Sequence, residues 1–98
     1  MSSSTEYRDF ILERLSCLEN IVCKPMMGEF LLYCDGILFG GIYDNRFLIK
    51  MTSTNERYFL DKEIPYTGAK PMYMVDELDD EEYLTKIIKE TIKGLNKK

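Results

Sequence analysis

The sequence predicts one α+β domain: a two-layer arrangement in which helices flank an antiparallel sheet. Three observations point there. Apolar residues recur at helical spacing only near the two ends of the chain. Between them, apolar runs are punctuated by the turn dipeptides Asp35-Gly36 and Asp44-Asn45. And 98 residues without a repeat or a low-complexity linker suit a single core, with residues 1–98 as one domain.

The first helix is expected from about Thr5 to Leu18, with Ser3 and Glu6 in capping-box spacing. Tyr7, Phe10, Ile11, Leu15 and Leu18 fall on one face, and Asp9, Glu13 and Arg14 on the other. After Asn20 the period changes, and Pro25 discourages further helix.

From Lys24 to Met51 the pattern reads as a three-stranded meander. Asp35-Gly36 suits a type I′ turn, which needs positive φ at both central residues, and Asp44-Asn45 gives a weaker signal of the same kind. These turns set a register. One face receives Phe30, Leu32, Cys34, Ile37, Phe39, Tyr43 and Leu48; the other receives Leu31, Tyr33, Leu38, Ile42, Phe47, Ile49 and Met51. Both faces are apolar, whereas a sheet with one solvated face alternates apolar and polar residues. Something is expected to cover each side. Gly40-Gly41 lies within a strand, and a helix crossing the sheet there is the expected reason.

Ser53 and Glu56 then suggest a cap for a short helix through about Leu60. Residues 65–71 read as a loop, Met72 to Val75 as a strand, and Asp80 to Leu95 as the clearest helix. That helix carries a stripe of Leu84, Ile87, Ile88, Thr91, Ile92 and Leu95. Its acidic start, and a basic end formed by Lys93, Lys97 and Lys98, complement the helix dipole. The expected order is α-β-β-β-α-β-α.

Composition excludes more chemistry than it suggests. With no histidine, Ser-His-Asp and Cys-His pairs and histidine metal sites are absent. The acidic run from Asp76 to Glu82 lacks the spacing of a calcium loop and reads as a helix start. Glu29 reads as an edge-strand or turn residue. No catalytic constellation, cofactor or metal site emerges, so an enzyme is not expected. Seventeen acids against 13 bases, net −4, disfavour direct nucleic-acid binding. No signal peptide or membrane span is expected, and Cys17, Cys23 and Cys34 read as free thiols of a cytoplasmic protein.

Two kinds of site remain as candidates. The doubly apolar sheet suggests an interaction surface around Phe39, Tyr43 and Leu48, with Met72 and Met74 at its margin, that a protein partner or a second copy in a homodimer would cover. Alternatively, Lys24, Lys50 and Lys70, each bordering an apolar strand, could converge on a small anionic ligand.

The run from Lys24-Pro25-Met26-Met27-Gly28 through Leu32-Tyr33-Cys34-Asp35-Gly36 to Gly40 resembles the opening signature of the TfoX/Sxy N-terminal domain family. Asp44-Asn45-Arg46-Phe47-Leu48-Ile49-Lys50 resembles that family's next strand, and Tyr66-Thr67-Gly68-Ala69-Lys70-Pro71-Met72 its second motif. The resemblance spans nearly the whole chain. It implies a two-layer fold with an antiparallel sheet, similar to type III secretion chaperones. It also implies a regulatory role, because the family is named for competence regulators that act in transcription with the cyclic-AMP receptor protein and carry an additional C-terminal domain. Met27, Gly28, Tyr33, Asp35, Gly36, Lys50, Gly68, Lys70 and Pro71 match the motif. Turns and packing explain these positions equally well.

Overall fold

A computed structural model describes residues 3–96. Its elements are α1 (Thr5–Arg14), β1 (Ile21–Met26), β2 (Glu29–Cys34), β3 (Ile37–Ile42), β4 (Phe47–Ile49), a single 3-10 turn (Glu56–Tyr58), β5 (Asp61–Glu63), β6 (Met72–Met74) and α2 (Glu81–Leu95). The six strands form one antiparallel sheet in the order β1-β2-β3-β4-β6-β5. The expected α+β class and element order hold, with β1 and β5 as additional edge strands and the middle helix reduced to one turn. No described helix is long and apolar enough to cross a membrane. Lys97 and Lys98 of the expected basic helix end lie outside the described residues.

Local chemistry fixes the helix starts. Ser4, rather than Ser3, caps α1 by accepting from the Tyr7 amide, and Asp80 caps α2 by accepting from the Tyr83 amide. Ser3 instead donates from its hydroxyl to Glu29 and accepts from the Asn45 amide, while Glu29 accepts from the Asp44 amide at 3.1 Å. Glu29 is thus a turn clamp, satisfying an amide of the β3–β4 hairpin. Met27-Gly28, Asp35-Gly36 and Asp44-Asn45 all have positive φ, so three two-residue turns link β1 to β4.

Both helices pack on one sheet face. Ile11 and Leu15 from α1 and Leu84, Ile87 and Ile88 from α2 join Phe30, Leu32, Phe39, Ile42, Phe47, Ile49, Tyr73 and Val75 in a single core. Arg14 fastens the end of α1 to the approach of α2 by donating to the Leu78 and Asp79 carbonyls. Asn55, fully buried, accepts from the Thr52 amide and donates to the Lys50 carbonyl and the Thr91 hydroxyl, tying the loop after β4 to α2.

The expected register holds as far as Phe39 and then inverts. Leu32 pairs with Gly40 but Tyr33 pairs with Leu38, leaving Phe39 as an extra residue in β3. This β-bulge moves every later side chain to the opposite face. Ile42, Phe47 and Ile49 therefore enter the helix-covered core, and Tyr43 and Leu48 face away from it. Nor does a helix explain the glycine pair. A Cβ at Gly40 would meet the Leu48 carbonyl oxygen of the neighbouring strand, and one at Gly41 would lie 2.7 Å from the Tyr43 ring.

Candidate functional site

The helix-free face is covered in part by the chain itself. Residues 64–71 fold back as a flap that Arg46 holds. Its guanidinium donates to the Ile64 and Pro65 carbonyls at 3.1 and 3.3 Å and to Glu63 at 2.9 Å, while its Nε donates to the Tyr43 carbonyl. Within the flap, the Ala69 amide donates to the Tyr66 carbonyl, and Gly68 takes the positive φ that the third position of this turn requires. Tyr66 packs against Tyr43 with ring centroids 6.1 Å apart.

Between this flap and the strands lies a cleft of about 700 Å³. Met26, Leu31 and Leu38 line it from β1, β2 and β3; Tyr43, Lys50 and Met51 come from the residues flanking β4; Pro65, Tyr66, Ala69, Lys70, Pro71 and Met72 come from the flap and the start of β6. The size falls within the range of small-molecule sites, and the lining is mainly apolar, as such sites are. Met26, Met51 and Met72 give it walls that can change shape at little cost.

Its charge is the reverse of the chain's. Lys50 and Lys70 line the cleft and, among the described residues, no carboxylate does, although the chain has 17 acids. The ion pairs among the described residues are Arg8–Asp9, Arg46–Glu63 and Arg57–Glu90, so neither lysine is neutralised by a partner. Burial, followed by repulsion from the ionised forms of Tyr66, Glu29 and Tyr33, pushes the Tyr43 hydroxyl above its ordinary range.

The sequence-derived candidates divide unevenly across this geometry. Two of the three lysines line the cleft, while Lys24 lies towards the β1 edge with its ammonium 5.1 Å from the centre of the Tyr33 ring. The expected surface of Phe39, Tyr43 and Leu48 is not a surface. Phe39 lies in the helix-covered core at 0% exposure, Leu48 is equally buried on the opposite face, and Tyr43 is 6% exposed. The bulge separates Phe39 from the other two, and Leu48 is buried on the helix-free side of the sheet. Met72 and Met74 are half-buried, and Met72 lines the cleft. Met27, Gly28, Asp35, Gly36 and Gly68 form turns, and Pro71 leads the flap into β6. Cys17 is exposed, Cys23 half-buried and Cys34 buried, each as a free thiol.

Sequence reasoning missed the roles of Arg46 and Tyr66 and the cleft itself. An arginine directly after the Asp44-Asn45 turn was the available signal, since a guanidinium there can reach several carbonyls at once.

Two helices on one face of an antiparallel sheet, and a cationic apolar cleft on the other, define a two-layer α+β domain with a concave helix-free face. The sequence model of the TfoX N-terminal domain matches residues 13–95, and the chain belongs to that family. A relative from Spirochaeta aurantia, described as an uncharacterized 12.7 kDa protein in the trpE 5′ region, is 31% identical over 83 residues, covering 83% of this chain and 72% of the relative.

Proposed function

We propose that this chain is a non-catalytic regulatory module of the cytoplasm that engages a protein partner through its helix-free sheet face. The observation that carries this reading is the cleft, whose cationic apolar lining suits a segment with apolar side chains next to a carboxylate. Membership of a family named for competence regulators supports the regulatory part. The free cysteines support a reducing compartment. Alternative modes of association are less suited to the fold. Edge-to-edge pairing is opposed by Lys24 and Pro25 on β1 and by the charged Asp61-Lys62-Glu63 of β5. A two-fold pair joined at the cleft would set Lys50 and Lys70 of one copy against the same residues of the other.

The test places a photo-crosslinking residue at Leu38, within the cleft, and another at Glu82, on the exposed start of α2, in the native host. The expected result is a discrete heteromeric adduct from position 38 alone, lost when Lys50 and Lys70 are replaced by Glu. An adduct of twice the chain mass would assign the face to a homodimer. Equal adducts at both positions would refute the reading.

A further inference from the structure

We propose that the cleft is a receptor site for a small amphipathic anion, meaning an apolar body that ends in a carboxylate or similar group. The inference shares with the preceding section only the premise that the cleft is the working surface. It does not require a protein partner.

Three features combine. The side chains of Met26, Leu31, Leu38 and Met72 give the cleft apolar walls from β1, β2, β3 and β6, and its volume of about 700 Å³ suits an acyl or aryl body rather than a lone inorganic ion. Lys50 and Lys70 supply cationic charge in a cleft where, among the described residues, no carboxylate lines the wall and neither lysine belongs to an ion pair. Lys50 is half-buried, and its backbone carbonyl is held by Asn55 at 2.9 Å, so its position is set before any ligand arrives. A half-buried ammonium without a counter-charge lowers its energy by taking an anion into the cleft. The apolar walls then select anions that carry a body. Tyr66, 57% exposed, lines the flap side of the cleft and offers that body an aromatic edge.

Methionine methyl groups report directly on this site. The full chain, labelled with ¹³C at the methionine methyls, is titrated with decanoate and with 1-naphthoate. Decanamide and decylammonium control for the body without the negative charge, and acetate and inorganic phosphate for the charge without the body. The expected result is saturable shifts of Met26, Met51 and Met72 with decanoate or naphthoate, and none at Met27, which is 94% exposed at a hairpin tip. Which of the two acids binds more tightly identifies the body as aliphatic or aromatic. Lys50→Gln and Lys70→Gln should each weaken binding about three- to tenfold while leaving the amide spectrum otherwise intact.

Equal shifts with decanamide would overturn the proposal by showing apolar adhesion alone. Equal shifts with acetate or phosphate would reduce the site to an unspecific anion contact. Absence of saturation at millimolar acid would also overturn it. A heteromeric crosslink at position 38 together with that absence would retain the protein-partner reading and reject the ligand. Binding without the crosslink would do the reverse.

Discussion

Replacing Arg46 with Met should open the flap without dismantling the sheet. The methionine keeps an apolar stem of similar reach but removes every donated bond: to Tyr43 at 3.1 Å, Glu63 at 2.9 Å, Ile64 at 3.1 Å and Pro65 at 3.3 Å. A hydrogen bond to a charged group contributes about 1.5–3 kcal/mol when its partner cannot rehydrate. Most of these partners can rehydrate in part. Glu63 is 40% exposed, which leaves its ion pair worth well under about 1 kcal/mol, and Ile64 is an exposed residue. The Tyr43 and Pro65 carbonyls belong to buried residues and account for most of the remainder. The net loss is about 2–3 kcal/mol, which raises the population of the open flap about 30- to 150-fold. Native-state hydrogen exchange reads this at the Ala69 amide, whose acceptor is the Tyr66 carbonyl within the flap. That amide should lose protection by the stated factor and exchange with little dependence on urea. Arg46→Lys should loosen the flap as well, because an ammonium lacks the fork that reaches two carbonyls and a carboxylate together. If Ala69 protection in Arg46→Met stays within about threefold of the parent, Arg46 is not what holds the flap.

Three other perturbations test the fold around the site. Leu48→Glu places a carboxylate at a position of 0% exposure and should unfold the domain, visible as loss of the cooperative urea transition; a folded variant would mean that Leu48 is not enclosed on the helix-free face. Asn55→Ala leaves the Thr52 amide and the Lys50 carbonyl without their partner and should cost about 2–4 kcal/mol in urea denaturation, with weaker anion binding because Lys50 is no longer fixed. Burial raises the thiols of Cys23 and Cys34 and the hydroxyls of Tyr7, Tyr43 and Tyr83, so the folded chain holds these protons more tightly than the unfolded chain. Their stabilisation is complete below the ordinary thiol range and is lost as pH rises above roughly 8.5–10; a urea midpoint that climbs between pH 8 and 10 would contradict this.

The fold was legible because its signals are local. Asp35-Gly36 announces a turn by its own φ requirements, and the α2 stripe announces a helix by spacing alone. Met27-Gly28 was less readable, since a methionine at φ +52° is not the residue that turn chemistry leads one to expect. Hence β1 was absorbed into the approach to β2. The Phe39 bulge had a larger effect. Strand alternation carries parity forward, so one extra residue reassigns Tyr43, Phe47, Leu48 and Ile49 together, and nothing in the apolar run from Ile37 to Phe39 marks where the count slips. The doubly apolar sheet was nevertheless a correct clue, because it required a cover on each side.

What covers the second side decides the kind of site the domain can have. Had a helix lain there, the face would be closed; had nothing lain there, it would be flat and apolar, and another copy would be its natural cover. A flap pinned at the Arg46 end borders a cleft in which Leu31, Leu38 and Met26 stay half-buried, which turns a flat face into a concave one. That concavity could not be read from spacing. Its walls come from positions between 26 and 72 in sequence, brought together only once the sheet has formed and the flap has folded back. Lys50 and Lys70 bordered apolar strands in the sequence, but only the flap brings Lys70 to the cleft that Lys50 lines. Their shared charge is therefore a property of the tertiary structure. It also ties the two halves of the functional reading to one mechanical element, because the Arg46→Met change that opens the flap should weaken decanoate or naphthoate binding even though Arg46 does not line the cleft. Unchanged affinity in that variant, alongside lost Ala69 protection, would mean that the strands alone form the site.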